Sequence, residues 1–180
     1  MRLIFLDTET TGMNKSGNVC ENHRIIEIGC VEMIDGEVTG KEFHRFINPG
    51  QKIDKAAYKI HGIKGSNLKG KPAFKNVAEE LINFLDGSTI VIHNASFDIS
   101  FLDKEFMGVS KQIRPVGKTF KVIDTLQMAR QAFPGMDNSL KALVQRFGLR
   151  QQKLHSAIED ARMLSQIYLF LENVLYEGSF

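Results

Sequence analysis

The stretch from residue 3 to residue 12, LIFLDTETTG, decides the fold and places the first candidate site. Its four apolar residues predict a buried strand, and two acids, Asp7 and Glu9, follow them one residue apart. Successive side chains of a strand point to opposite faces, so Asp7 and Glu9 share a face. Like charges side by side repel each other, whereas Mg²⁺ takes carboxylate oxygens as ligands. The pair indicates either a metal site or a solvated strand end, and acids further along the chain decide between the two.

The composition is that of an ordinary globular protein. Of the 180 residues, 43% are hydrophobic and 24% are charged, which argues against disorder. A chain of this length is most simply one domain, residues 1–180. The net charge of +2 is too small to indicate a nucleic-acid-binding protein by bulk charge.

The location of the protein is predicted from what the sequence lacks. No apolar stretch approaches the roughly 20 residues that cross a bilayer, so we expect no membrane association. The chain enters a strand at its first residues, which leaves no room for a signal peptide. Two cysteines, Cys20 and Cys30, do not form a disulfide framework. We therefore expect a cytoplasmic protein.

Five strands are predicted. The runs 24–32 and 42–47, separated by the turn signal Asp35-Gly36, continue the first strand as an antiparallel meander. Helix and strand then alternate, with short apolar strands at 89–93 and 120–123. This pattern predicts an α/β layer fold with a mixed five-stranded sheet flanked by helices, in which the first three strands are antiparallel.

Helices are predicted from apolar stripes at helical spacing and from capping signals. The stripes begin at Phe74, Phe97 and Leu140. Asp124 is predicted to cap one helix, and Ser156 with Glu159 resembles a capping box that opens the last helix.

Two further acids lie at predicted helix starts. Asp98 falls in the first turn after the strand at 89–93, where the helix dipole favours a carboxylate by roughly 0.3–1 kcal/mol. That effect alone explains Asp98, although open α/β sheets also bind ligands at this edge. Asp160 ends the first turn of the last helix, next to its apolar stripe, where a buried acid needs a partner. His155, just before that helix, has a side chain suited to take a proton from water at neutral pH.

Three ordered motifs resemble those of the DEDDh exonucleases. They are Asp7-Thr-Glu9, Asn94-x-x-Phe97-Asp98 and His155-x-x-x-x-Asp160. The resemblance implies a ribonuclease H-like fold and two-metal hydrolysis of the terminal phosphodiester at a 3′ end. It also implies that Asp7, Glu9, Asp98 and Asp160 hold two divalent cations, Mg²⁺ or Mn²⁺, with Asp7 reaching both. His155 would then be the general base.

Two more stretches are similar to the proofreading epsilon-type branch of that family, which serves bacterial DNA polymerase III. They are His61-Gly62-Ile63 and Phe133-Pro134-Gly135, the latter before Asn138-Ser139-Leu140. This likeness implies a single-stranded or frayed DNA 3′ end as substrate, a replicative polymerase subunit as partner, and a monomer when alone. The implied substrate-binding residues are Thr10, Gly12, His61, Asn94 and Phe97. One position departs from the family, because Ala56 stands where relatives often carry a glutamate that contacts the terminal sugar.

The leading interpretation is therefore a metal-dependent 3′–5′ exonuclease that releases nucleoside monophosphates from DNA and proofreads during replication. An RNA-trimming exonuclease shares the same motifs, since selection against a 2′-hydroxyl depends on pocket shape. A non-catalytic polymerase accessory module is a third possibility, against which the complete set of four acids and a histidine argues.

Overall fold

The strand that carries Asp7 and Glu9 is the middle strand of the sheet. The structure is a computed structural model that describes residues 1–150 and 156–177, with the backbone alone at residue 177. The sheet has the order β3-β2-β1-β4-β5. β1 pairs antiparallel with β2 and parallel with β4, β2 pairs antiparallel with β3, and β4 pairs parallel with β5. The strands are β1 (Arg2–Thr10), β2 (Ile25–Ile34), β3 (Glu37–Phe46), β4 (Thr89–Ile92) and β5 (Lys121–Asp124). The predicted mixed five-stranded sheet is confirmed.

Helices flank this sheet. Those described are α1 (Lys55–His61), α2 (Gly65–Leu68), α3 (Ala78–Leu85), α4 (Ala95–Val109), α5 (Val116–Thr119), α6 (Thr125–Ala132), α7 (Leu140–Arg146) and α8 (Ala157–Glu172). A 3₁₀ turn (Phe74–Asn76) precedes α3, and a π-helical turn (Asn173–Glu177) follows α8. Within the described residues, the structure contains no helix long and apolar enough to span a membrane.

Alternate side chains of β1 enter two different cores. Ile4 and Leu6 pack on one face of the sheet with residues of α3 and α4. Leu3 and Phe5 pack on the other face against α8, where the rings of Phe5 and Tyr168 meet edge to face at 5.6 Å. Because side chains alternate along a strand, Asp7 and Glu9 continue the face of Leu3 and Phe5. The two acids therefore project toward α8.

Three short helices lie outside the sequence prediction. α1, α2 and α5 have seven, four and four residues, and each buries a single side chain. A helix that buries one residue has no apolar stripe for a periodicity search to detect. These helices are held by the surrounding chain and not by a pattern of their own.

The two predicted helix caps have different outcomes. Asp124 caps α6 as predicted, since its side chain accepts a hydrogen bond from the backbone N–H of Leu126. The capping box at Ser156 is wrong, because the Ser156 hydroxyl makes no capping bond to α8. It donates instead to Glu27 of β2, over 3.0 Å. Glu159 forms an ion pair with Arg162 within α8.

Phe5→Ala is expected to lower the free energy of unfolding by about 3–5 kcal/mol, the usual cost of removing a fully buried phenylalanine. Phe5 is 0% exposed and joins β1 to α8. Urea denaturation followed by circular dichroism measures the change. Met107→Ala is the control, because Met107 is 55% exposed and its loss should change the value by no more than about 0.5 kcal/mol. Equal losses in both variants would contradict the packing described for β1.

Candidate active site

Three carboxylates meet where β1 passes the start of α8. Asp7 and Glu9 come from β1 and Asp160 comes from the first turn of α8. One carboxylate oxygen from each lies within 4.8 Å of the other two. Acids this close repel one another, and oxygen ligands at such separations suit a hard divalent cation. Of the four acids predicted to hold metal, the structure brings these three into one cluster.

Asp98, the fourth acid, lines a cavity together with these three. It reaches that cavity from the other side of β1. It lies in the first turn of α4 and is 3% exposed. Its Oδ1 accepts hydrogen bonds from the Thr8 backbone N–H at 3.0 Å and from the Thr8 hydroxyl at 2.7 Å. Thr8 lies between Asp7 and Glu9 and points to the opposite face. A single residue of β1 thus ties α4 to the strand at the site.

The electrostatics of the cluster follow from burial. Burial raises the pKa of Asp7 well above its ordinary value, and the charges of Asp98, Asp160 and Glu9 raise it further. Burial, with the charge of Asp160 next in importance, raises the pKa of Glu9 from 4.5 to about 8. Burial also raises the pKa of Asp98 from 3.8 to about 7, although hydrogen bonds from Thr8 act in the opposite direction. Bringing all of these carboxylates to the ionised state therefore calls for positive charge.

Two adjoining cavities open at this point. The first, of about 290 Å³, is lined by the four acids together with Asn94, Phe97 and Lys141. The second, of about 240 Å³, is lined by Thr10, Gly12, His61 and Phe97, and Glu9 borders it too. Phe97 and Glu9 thus stand at the boundary between the two. All five residues predicted to bind substrate line one or both cavities, and their roles stay predictions.

The second cavity is mostly apolar. Met13, Ala56, Ala57 and Ile60 contribute to its wall. Gly12 has φ +152°, and a Cβ atom there would lie 2.6 Å from Asp54 Oδ2 and 2.8 Å from the His23 ring. Only glycine fits this conformation at so close an approach. The wall of the cavity therefore combines the backbone of Gly12 with an apolar patch, and Glu9, Lys15, Asp54 and His61 add polar groups to it.

The start of α4 is held by Asp124, for which the sequence predicted only the cap of α6. Besides capping α6, the Asp124 carboxylate accepts hydrogen bonds from the backbone N–H groups of Asn94 at 3.0 Å and Ala95 at 3.2 Å. Asn94 has φ +65°, the left-handed conformation that asparagine tolerates. Asp124 thereby fixes the turn that carries Asp98 into the site.

Sequence reasoning missed Glu27. This acid of β2 is 1% exposed, lies opposite Glu9 in the strand register, and raises the pKa of both Asp7 and Glu9. The available signal was an acid within the apolar run Ile25-Ile26-Glu27-Ile28. The other central prediction, His155, lies outside the described residues.

Comparison with known proteins agrees with this geometry. The family model described as an exonuclease, RNase T, matches residues 4–168. Among solved structures, exonuclease X in complex with 5′-overhanging duplex DNA is 29% identical, with a TM-score of 0.70 over 95% of this chain and 91% of that one. Escherichia coli exonuclease I in complex with a dT13 oligonucleotide has a TM-score of 0.80 at 16% identity, over 98% of this chain and 42% of that one. This second likeness shows the fold alone.

Closer sequence relatives are DNA polymerase III epsilon subunits. That of Buchnera aphidicola from Schizaphis graminum is 46% identical over 172 residues, covering 94% of this chain and 74% of the relative. Those of Salmonella typhimurium and Escherichia coli K12 are 47% and 45% identical, each covering 93% of this chain and 70% of the relative. The chain therefore belongs to the exonuclease family, on the branch of the DNA polymerase III epsilon subunits.

Proposed function

We propose that this chain is a metal-dependent 3′–5′ exonuclease that removes terminal nucleotides from DNA and proofreads for a replicative polymerase. One observation supports the proposal above all others. In a chain of the exonuclease family, Asp7, Glu9 and Asp160 place carboxylate oxygens within 4.8 Å of one another. Asp98 borders the same cavity. An accessory module without catalysis would have no use for this cluster, whose repulsion disfavours folding.

The acidic cluster fits divalent cations. Its donors are all carboxylate oxygens, which Mg²⁺ and Mn²⁺ accept as ligands. Asp7, Glu9, Asp98 and Asp160 would hold the ions. Divalent ions held there would supply Lewis-acid stabilisation of the charge that develops on the phosphodiester oxygens. The raised pKa values of Asp7, Glu9 and Asp98 support this assignment, since cations lower the cost of ionising all of these acids.

The two cavities suit the two ends of a nucleotide. A phosphodiester in the first cavity lies against the four acids, while a base or sugar in the second meets Met13, Ile60 and Phe97. Because Phe97 borders both, its ring is placed to contact the terminal nucleotide near the scissile bond. Ala56 itself offers no acid to the terminal sugar, so the charged groups available to that sugar in this cavity are those of Glu9, Lys15 and Asp54.

The substrate and partner are inferred from the relatives. Epsilon subunits are named as parts of DNA polymerase III, and exonuclease X was solved with a DNA overhang. A single-stranded or frayed DNA 3′ end as substrate, a polymerase subunit as partner and a cytoplasmic location belong to the same proposal. So do a single exonuclease domain over residues 1–180 and a monomer when alone.

His155 completes the proposed chemistry as general base. Its place five residues before Asp160 comes from the sequence alone. A neutral imidazole is suited to accept the proton of the attacking water at neutral pH.

Nucleotide release from a 3′-labelled DNA primer should require Mg²⁺ or Mn²⁺, and excess EDTA should abolish it. Asp7→Asn removes a charge from the cluster with little change in shape, so the rate should fall by at least about 10³-fold while the chain stays folded by circular dichroism. An RNA oligomer of the same sequence is the second substrate. Release that persists in EDTA would contradict the metal assignment. Faster release from RNA than from DNA would mean that RNA, not DNA, is the substrate.

Without divalent ions, the melting temperature should fall as pH rises from about 5 to about 8.5. Glu9 and Asp98 have folded-state pKa values of about 8 and about 7. Acids with raised pKa values stabilise the fold fully below their ordinary pKa, and that contribution is lost as pH rises through the folded value. Saturating Mn²⁺ should remove most of the fall. In Glu9→Gln, which cannot titrate at this position, the metal-free curve should be flatter. Parallel curves for the parent and Glu9→Gln would contradict the electrostatic account.

His155→Ala should lower turnover about 10²–10⁴-fold, the usual contribution of a positioned base. In the parent, the rate should rise with pH through an apparent pKa of about 6.5–7.5, since the neutral imidazole is the active form and nearby charges shift its titration. Mn²⁺ affinity, measured by titration calorimetry, should be retained because His155 is not proposed as a ligand. Loss of Mn²⁺ binding in this variant, or near-normal turnover, would remove His155 from the role of base.

A further inference from the structure

A fifth acid lies beside the cluster without joining it. Glu27 of β2 is 1% exposed and opposite Glu9 in the register. The gathered oxygens belong to Asp7, Glu9 and Asp160, and among the described residues no other acid is part of that group. Burying a carboxylate next to three others is unfavourable unless it makes strong contacts of its own. The hydrogen bonds that compensate for the burial of Glu27 therefore indicate what this residue does in the structure.

Two hydrogen bonds to Glu27 converge on a single oxygen. The Ser156 hydroxyl donates to Glu27 Oε1 over 3.0 Å, and His44 Nε2 lies 2.7 Å from the same atom. Ser156 is the residue from which α8 begins, and its side chain makes no bond to the helix itself. Glu27 of β2 is thus bonded both to His44 of β3 and to Ser156, the residue just before α8. A charged acceptor makes such bonds stronger than a neutral one would.

The absence of a side chain at Gly29 lets the start of α8 approach β2 closely. A Cβ atom at Gly29 would lie 2.3 Å from the carbonyl carbon of Ala157 and 2.3 Å from the backbone nitrogen of Ile158. Real Cβ atoms do not approach backbone so closely, so any other residue at this position would displace α8. Gly29 is also the register partner of Asp7. The two residues of β2 that face Glu9 and Asp7 are therefore both in contact with the start of α8.

We propose that Glu27, supported by His44, and Gly29 hold the first turn of α8 against β2, and that this contact positions Asp160 relative to Asp7 and Glu9. The Asp160 N–H bonds to the Ser156 carbonyl over 2.9 Å, so the two residues belong to one rigid helical turn. A displacement at Ser156 is transmitted to the Asp160 carboxylate. The inference rests on the proposed function, since it assigns positioning residues to that site. Glu27 acts through Asp160 and touches neither substrate nor metal.

Ser156→Ala tests the hydrogen bond with the smallest change. The variant should bind Mn²⁺ about 10-fold more weakly by titration calorimetry, and its kcat should fall about 10-fold, the usual cost of removing a residue that orients a metal ligand. KM for a DNA primer should stay within about twofold, because substrate contacts are untouched. Thr39→Ala is the matched control. Thr39 also donates its hydroxyl to a buried glutamate of β2, Glu32, over 2.8 Å, at the end remote from the site. It should leave Mn²⁺ affinity and kcat unchanged.

Gly29→Ala tests the close approach. If it folds by circular dichroism, it should weaken Mn²⁺ binding at least as much as Ser156→Ala, because α8 must move. Unchanged Mn²⁺ affinity and kcat in Ser156→Ala, relative to Thr39→Ala, would overturn the positioning role whatever Gly29→Ala does. Failure of the proposed function would give a different result from failure of the positioning role. The parent protein would then bind Mn²⁺ but release no nucleotides from DNA. In that case the weaker Mn²⁺ binding of Ser156→Ala would still support the positioning role.

Discussion

Repulsion among carboxylates gathered at the end of β1, two of them buried and two partly buried, is the constraint on which the rest of the structure depends. Asp7, Glu9, Asp98 and Asp160 come from three elements that are packed together by their apolar faces. The free energy of that packing forces the charges into proximity, and burial deprives them of solvent. This point of the protein therefore favours cations, and specific hydrogen bonds hold the starts of α4 and α8 beside it.

The middle position of β1 makes the arrangement rigid. The strand is hydrogen-bonded on both sides and its two faces enter different cores, so a slip of one residue would exchange Leu3 and Phe5 with Ile4 and Leu6. The register that buries the correct apolar residues is thus the register that turns Asp7 and Glu9 toward α8. Thr8, between them, is left on the other face to bind Asp98. Packing specificity and site geometry are set by the same alternation.

Much of this could be predicted from local pattern. The period of two along residues 3–9 predicted a shared face for Asp7 and Glu9, and helix starts placed Asp98 and Asp160, because these are short-range consequences of strand and helix geometry. The contacts of Glu27 with His44 and Ser156 could not be predicted, since Ser156 lies 129 residues away in the chain. The same contact explains why the capping box at Ser156 is wrong. A serine before a helix caps it by default, but here a buried carboxylate is the stronger acceptor and takes the hydroxyl.

The distribution of the acids along the sequence couples the site to complete folding. Residues 7 and 9 meet residue 160 only when α8 has packed on β2, and that packing depends on the absence of a side chain at Gly29. Contacts of such long sequence separation carry a large loop-closure entropy, so they are stable only as part of the cooperatively folded chain. A chain in which α8 is detached has lost Asp160 and the repulsion that this carboxylate exerts on Asp7 and Glu9. The cluster thus opposes the packing of α8, whereas a bound cation favours it, because only the folded chain presents all the ligands together.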